Sequence, residues 1–411
     1  MNRSLPLLAT LALAWLSAPA AAQDTESPLR PGRLYLNNSL LVGSGRVVSL
    51  GGAYVGIAEG GAGFASNLAA IAQRNPELER DWDADVLLSY LTVPRREFDL
   101  DNDGRFDDQY RSTTQLLLGL ALQYKNYGLG AYTRATFLSY CATGEDPCTD
   151  QVQVTVANSS LAAAVGFGDD ELIAALGLYL ATATFSHRGD NWDYANTGFA
   201  FDMLYRPRNR PYRIGISVKP QVVGRYRVKE DQQPVVAGKQ LFTAVVSPPV
   251  LSLGASYLIG PGAERYNRLS PAARRQALEE AEGRRIIAAP PPEPTPKGAL
   301  LLTGQVDIVS AVENAVPLGA FLSTDAPPEV GNATYLVPRF GAEYEPIPGR
   351  LRTRLGTFLE PSPFAGRPVR PHLTGGFELF VLHYYVDWEV AGTFDIAPLY
   401  TNVGVSIGFW K

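Results

Sequence analysis

The chain has 411 residues, 46% hydrophobic and 19% charged, with 39 Gly, 20 Tyr, 17 Phe, two Cys and a formal net charge of −5. That acidic balance, one unit more negative without Arg3, excludes the basic face that a nucleic-acid partner requires. The composition fits one large β domain.

At the start, Arg3, the apolar run from Leu5 to Leu16 and Ala20-Ala21-Ala22 before Gln23 read as a secretory signal peptide over residues 1–22. The run is too short to span a bilayer, and no later one approaches the roughly 18 residues needed. If the mature chain crosses a membrane, it crosses as strands.

Next comes "SLGGAYVGIAEGGAGFASNLAAIAQRNP", from Ser49 to Pro76, too flexible for a good helix and too bland for a strand. Its Tyr54, Val55, Ile57, Phe64, Leu68 and Ile71 are too apolar for a linker left in water.

From Ala84 onward, alternation of period two recurs between turn signals. In "TQLLLGLALQY" Leu116, Leu118, Leu120, Leu122 and Tyr124 share one face, with Gln115, Gly119, Ala121 and Gln123 on the other. The last segment repeats this, with Val403, Val405, Ile407 and Phe409 opposite Asn402, Gly404, Ser406 and Gly408. Fourteen strands are predicted: 84–94, 112–125, 128–141, 151–167, 171–186, 197–207, 212–228, 248–260, 298–312, 334–346, 351–361, 372–382, 385–395 and 400–410. Their connections alternate short and long, and the even count suits a closed antiparallel barrel.

Alternation alone does not separate a soluble sandwich from a membrane barrel. The late strands favour the barrel: Arg339, Glu343 and Glu345 alternate with Phe340 and Tyr344, Arg352, Arg354 and Glu360 with Leu355 and Leu359, and Glu378 lies between Phe377 and Leu379. Asp387 and Glu389 flank Trp388. Both signs fall on one side of neighbouring strands, as an enclosed interior needs for pairing.

Three connections carry their own signals. "DLDNDGRFDD" places Asp99, Asp101 and Asp103 at positions 1, 3 and 5 of a calcium loop, with Gly104 at the turn, Arg105 offering a carbonyl at 7 and Asp107 at 9. Position 12 is Tyr110, so the bidentate ligand of an EF-hand is missing. "CATGEDPC" predicts a disulfide between Cys141 and Cys148 in an exported chain. Where a tight turn is expected, residues 262–297 insert a charged helix of about four turns, capped by Ser270 and Pro271, followed by "PPPEPTP". Its expected place is the periplasm, with docking of a partner as the alternative role.

Nothing points to an enzyme. His187, His372 and His383 are scattered, and "VGSGR" at 42–46 is no nucleophile elbow.

A signal peptide, then "GSGRVVSLGGAYVGIAEGGAGFASNLAAIA", then fourteen strands resembles the long-chain fatty acid transporter family of outer-membrane proteins, the FadL and toluene-transporter type. Leu50-Gly51-Gly52-Ala53 matches that family's Met-Gly-Gly-Ala segment with Leu for Met, and Asn67-Leu68-Ala69-Ala70-Ile71-Ala72 loosely matches its Asn-Pro-Ala-Gly-Leu-Ala segment. The stretch from Pro338 to Phe364 looks like the family's late hairpin. The resemblance implies an all-β, 14-stranded antiparallel transmembrane barrel in the bacterial outer membrane, with residues 23–83 as an N-terminal hatch inside the lumen and 84–411 as the barrel. It further implies a monomer that passes hydrophobic small molecules such as long-chain fatty acids, with Gly51, Gly52, Ala53, Phe64, Asn67, Leu68 and Ile71 as hatch and ligand-path candidates, and a wall opening at a kinked strand. The competing expectations are a non-transporting barrel that partners a secretion or surface-assembly system, and a secreted soluble β protein.

Overall fold

The computed structural model describes residues 29–36, 41–73, 80–94, 98–106, 109–143, 147–168, 170–226, 234–282, 298–324, 326–383 and 387–410. The expected signal peptide, Asp107 and the Pro-rich part of the insertion lie outside these residues.

Fourteen strands form the wall: β1 (Trp82–Thr92), β2 (Tyr110–Tyr124), β3 (Tyr127–Cys141), β4 (Gln151–Phe167), β5 (Leu172–His187), β6 (Asp190–Tyr205), β7 (Tyr212–Lys219), β8 (Val250–Ile259), β9 (Leu300–Val309), β10 (Tyr335–Ile347), β11 (Leu351–Glu360), β12 (Arg370–His383), β13 (Asp387–Ala397) and β14 (Tyr400–Trp410). Each pairs antiparallel with its neighbour, and β1 closes the ring against β14 from Asp85↔Trp410 to Thr92↔Val403.

The greasy faces point outward. Leu118, Leu122, Leu176, Leu355 and Val405 are 48–65% exposed, whereas Gln115, Leu117 and Asn402 are each 1% exposed. Leucines at half exposure around the outside of a ring are stable only where the surroundings are hydrocarbon, which reverses the ordinary inside-out rule. Tyr124, Tyr127, Phe167, Tyr205, Tyr257 and Tyr344 are exposed at the end where the short turns lie, forming an aromatic girdle at one interface. This end is called the turn end below, and the opposite one the loop end.

The wall differs from the sequence expectation at β6 and β7. The expected long connection at 186–197 is a two-residue turn, because Arg188 (φ 51°) and Gly189 (φ 94°) adopt the left-handed pair that closes a tight hairpin. The expected single strand 212–228 breaks at Pro220-Gln221: Pro220 has no N–H for the ladder, and the chain resumes as Val222–Tyr226. Pairing of β6 with β7 ends at Phe201↔Val218, and β6 meets the chain again only at Ala195↔Arg225 and Tyr194↔Tyr226. Residues 196–200 therefore lack a ladder on that side, and Asn196 instead donates its side-chain amide to the Val223 carbonyl at 2.6 Å.

At the loop end, segments from outside the wall pack together on the barrel. Arg30–Tyr35 runs as a parallel strand between Phe242–Ser247 and Ala315–Pro317. Phe98, Tyr110, Tyr140, Phe185, Trp192, Tyr194, Phe242 and Phe321 form an apolar core beneath it.

At the turn end the insertion carries helix α3 (Pro271–Ala281), whose N-cap Ser270 accepts from the Ala273 amide at 3.2 Å. Its 11 residues make about three turns, one fewer than expected.

Candidate functional site

Residues 41–73 lie within the ring and touch strands on all sides of it. Three short helical pieces carry them: α1 (Gly45–Ser49), α2 (Gly60–Phe64) and a 3-10 turn at Leu68–Ala72, the first and last capped by Ser44 and Asn67. Pieces this short gain little from their own hydrogen bonds and are held by what they pack against.

Two kinds of contact hold this plug. The first is backbone on backbone. Gly51 sits at φ +64°, and a Cβ there would stand 2.7 Å from the Thr357 carbonyl oxygen in β11; from the wall side, a Cβ on Gly356 would overlap the Leu50–Gly51 peptide. Gly56 lies against the Ala255 backbone in β8 in the same way. The second is charge. Arg46 of α1 gives Glu343 in β10 two hydrogen bonds of 2.8 Å and Glu59 one of 2.8 Å, while Arg213 in β7 gives Glu59 one of 2.6 Å. Arg354 in β11 continues the string to Glu343 at 2.5 Å and to Glu378 in β12. Three guanidinium and three carboxylate groups thus cross the lumen with no net charge, which is how buried charges are tolerated. The expected inward pairing of the late strands is what forms here, joined by Arg339 with Asp307 and Arg370 with Glu360.

The sequence-derived candidates occupy different places in this arrangement. Gly52 (φ +78°) lines the lumen cavity described below, and Ala53 accepts at its carbonyl from Thr303 at 2.7 Å. Phe64 meets Tyr132 edge to face at 5.1 Å, and with Leu68 and Ile71 it belongs to the apolar cluster between plug and wall. Asn67 is fully buried and ties the plug to itself and to β6, donating to the carbonyls of Val55 at 2.9 Å and Met203 at 3.1 Å.

Between the plug and the loop-end core is a cavity of about 240 Å³. Its lining mixes aliphatic side chains (Val47, Val55, Val156, Val250, Val309, Val337) with Arg134 of β3, Lys219 of β7 and the paired charges Asp307, Arg339 and Glu360. Lys219 donates to the Ala65 carbonyl at 3.0 Å, and among the described residues neither it nor Arg134 forms an ion pair. The cavity lies beside the interrupted wall, since Lys219 and Val250 flank the Pro220 break. Arg134 and Lys219 escaped sequence reasoning. Alternation places each on an inward face, but nothing local says that strands three and seven aim them at one space.

At the loop end, ligand oxygens of Asp99, Asp101 and Asp103 all lie within 4.8 Å of one another. Asp99 accepts from the amides of Asp103 and Gly104, and Arg105 donates its amide to Asp103. Burial, with Asp103 and Asp99 adding repulsion, pushes the Asp101 carboxyl up to about 7. Tyr110, at position 12, is packed among Phe98 and Tyr140. The donor set is therefore three carboxylates, hard ligands of the kind calcium takes but fewer than its usual six to eight.

Cys141 and Cys148 are joined as expected, closing the β3–β4 connection. Just beyond, Asp150 accepts from His187 at 2.8 Å and Arg188 at 3.0 Å.

No protein-family model and no curated protein sequence matches the chain. Solved structures do. The CymD monoaromatic hydrocarbon channel aligns with a TM-score of 0.52 at 13% identity, over 90% of this chain and 97% of its own. A deltaS2S3 mutant of the TodX monoaromatic hydrocarbon channel gives 0.53 at 9% identity, over 90% and 98%. A FadL homologue of Pseudomonas aeruginosa gives 0.49 at 9%, over 93% and 98%. At these identities the likeness of the first two establishes the fold alone: the chain is a closed fourteen-stranded antiparallel β-barrel that shares its fold with these channels.

Proposed function

We propose that the protein is a passive outer-membrane transporter for hydrophobic small molecules, and that its cargo is an amphiphile with an anionic head, of which a long-chain fatty acid is the type. The observation that carries this reading is the cavity, which Arg134 and Lys219 line beside aliphatic side chains, neither of them in an ion pair among the described residues, with Asp307 and Glu360 elsewhere on the lining. An anionic head would satisfy both cations, and the valines would take the first carbons of its tail.

At about 240 Å³ the cavity is smaller than the roughly 300–1,000 Å³ usual for ligand pockets, so a whole fatty acid does not fit with the plug seated. Transit then requires residues 41–73 to act as a hatch and shift, or the tail to leave through the wall at 196–200, where no ladder bonds must be broken. A flux without energy input is consistent with both routes.

Mass spectrometry of molecules co-purified from detergent-solubilised membranes tests this. Fatty acids or similar anionic lipophiles should be retained by the wild type and lost from the Arg134→Gln, Lys219→Gln double variant. Recovery of a stoichiometric protein partner and no lipophile would instead support an assembly barrel.

We also infer that Asp99, Asp101 and Asp103 hold a calcium ion, which would order the β1–β2 connection at the loop end. The convergence of three carboxylates in a loop with calcium-binding spacing supports it, and the absent bidentate ligand at position 12 makes the expected affinity weak.

A further inference from the structure

Arg213 is one wall end of the charge string; besides Glu59 it gives the plug a bond to the Ile57 carbonyl at 3.1 Å, and its other bonds run to the insertion. Its Nε donates to Asn267 Oδ1 at 2.8 Å, an Nη donates to the Tyr266 carbonyl at 3.0 Å, and its guanidinium lies 3.9 Å from the centre of the Tyr266 ring. Arg213 is 3% exposed, so these partners, with Glu59 and the Ile57 carbonyl, stand in place of water. The insertion also reaches the plug without Arg213. The Tyr266 hydroxyl is 2.9 Å from Ser256 Oγ, which donates to the Gly56 carbonyl at 2.9 Å, and the Tyr266 ring packs against the cluster of Val47, Leu50, Tyr54 and Ile57.

Both partners in the insertion are themselves fixed. Asn267 is 2% exposed and gives its amide to three carbonyls of the β6–β7 turn, those of Pro207, Arg210 and Tyr212, at 2.8–3.0 Å. Eight residues on, Arg275 anchors α3 to Asp81 at 2.5 Å, just before the chain enters β1. The insertion thus grips the plug in its middle, through Tyr266, and at its exit, through Arg275.

We propose that the insertion, residues 262–282, is a brace that keeps the plug seated from the turn end, so that lifting Tyr266 and Asn267 off the β6–β7 turn frees the plug to move. The string explains how. Without Asn267 and Tyr266, Arg213 is a buried cation short of two acceptors and a ring, left with Glu59 and the Ile57 carbonyl, and the pairing that holds Glu59 and Arg46 across the lumen is no longer fixed from the wall side. The brace stands on contacts alone and does not depend on what the barrel carries.

The test uses the full chain in lipid nanodiscs and in liposomes. Hydrogen exchange of residues 44–64 and efflux of an entrapped sugar are compared among wild type, the Tyr266→Ala, Asn267→Ala double variant, Tyr266→Phe and Arg275→Gln. The double variant should exchange about tenfold faster or more across the plug, the scale expected from losing a buried bond to a charged group, and leak sugar, while the wall amides stay protected. Tyr266→Phe, which keeps the ring and loses the bond to Ser256, and Arg275→Gln should shift in the same direction by less. If the plug exchanges and the liposomes hold sugar as in the wild type in every variant, the brace is wrong. If the double variant fails to close its barrel, shown by lost heat-modifiable migration, Arg275→Gln decides alone: faster plug exchange supports the brace and unchanged exchange overturns it. Neither readout involves a lipophile, so a failed cargo assignment leaves both outcomes standing.

Discussion

Arg46 and Glu343 meet through two parallel hydrogen bonds of 2.8 Å, one residue in the plug and the other in the wall. Forked pairing of this kind is the strongest neutralised contact available to a buried guanidinium, and it fixes direction as well as distance. Replacing Arg46 by Met leaves Glu343 with Arg354 and Glu59 with Arg213, so the loss is partial. The plug should lose about 2 kcal/mol of local stability, read as faster hydrogen exchange of residues 44–52 with the barrel intact.

Backbone contact makes a sharper prediction. A methyl at Gly356 would overlap the Leu50–Gly51 peptide and stand 2.7 Å from Thr374 Oγ1, whereas one at Gly304 meets the Phe340 ring at 3.6 Å and nothing closer. Gly356→Ala should displace the plug at about 1–3 kcal/mol, as overpacking does, and Gly304→Ala should be silent. Limited proteolysis within residues 41–73 compares the two.

The acidic loop has a pH dependence whose sign follows from Asp101. Its carboxyl, held up to about 7 by burial and by Asp103 and Asp99, has an ordinary value of 3.8. A value raised on folding means the loop is most stable below the ordinary value and loses stability as pH rises through about 7 in chelator. Calcium competes with that proton, so its affinity, measured by calorimetry, should rise with pH up to about 7 and level off above. Asp101→Asn should flatten the chelator profile and remove most of the binding.

Removing the disulfide tests whether the loop end folds separately from the wall. The closed loop from Cys141 to Cys148 is short, so Cys141→Ser with Cys148→Ser should cost roughly 2 kcal/mol locally. Exchange should speed up around residues 139–152, while the melting of the barrel, followed by heat-modifiable migration, stays put.

The wall was readable because its rule is local. Leu116 through Tyr124 show from spacing alone that β2 has one greasy face, and the inward charges of β10 to β12 announce their pairing because Glu343 lies opposite Arg354, Arg352 opposite Glu378 and Glu360 opposite Arg370 on adjacent strands. The β5–β6 turn was missed because in "HRGD" only Gly189 is a usual left-handed residue, and Arg188 takes positive φ where Asn or Asp would have announced the turn. What fills the wall obeys no local rule. Arg46 and Glu343 are 297 residues apart, and Gly356 reads as an ordinary strand glycine until the plug lies against it. The same holds for Arg134 and Lys219, whose meaning depends on the curvature that brings β3 and β7 to one cavity.

Whole-cell uptake of a radiolabelled long-chain fatty acid, with the cavity filled by Val156→Trp and Val309→Trp, tests the central claim most directly. Both valines line the cavity, and heat-modifiable migration confirms that each variant still closes its barrel. The account predicts that uptake falls to the level of cells lacking the protein. Uptake equal to that of the wild type with the cavity filled would contradict it.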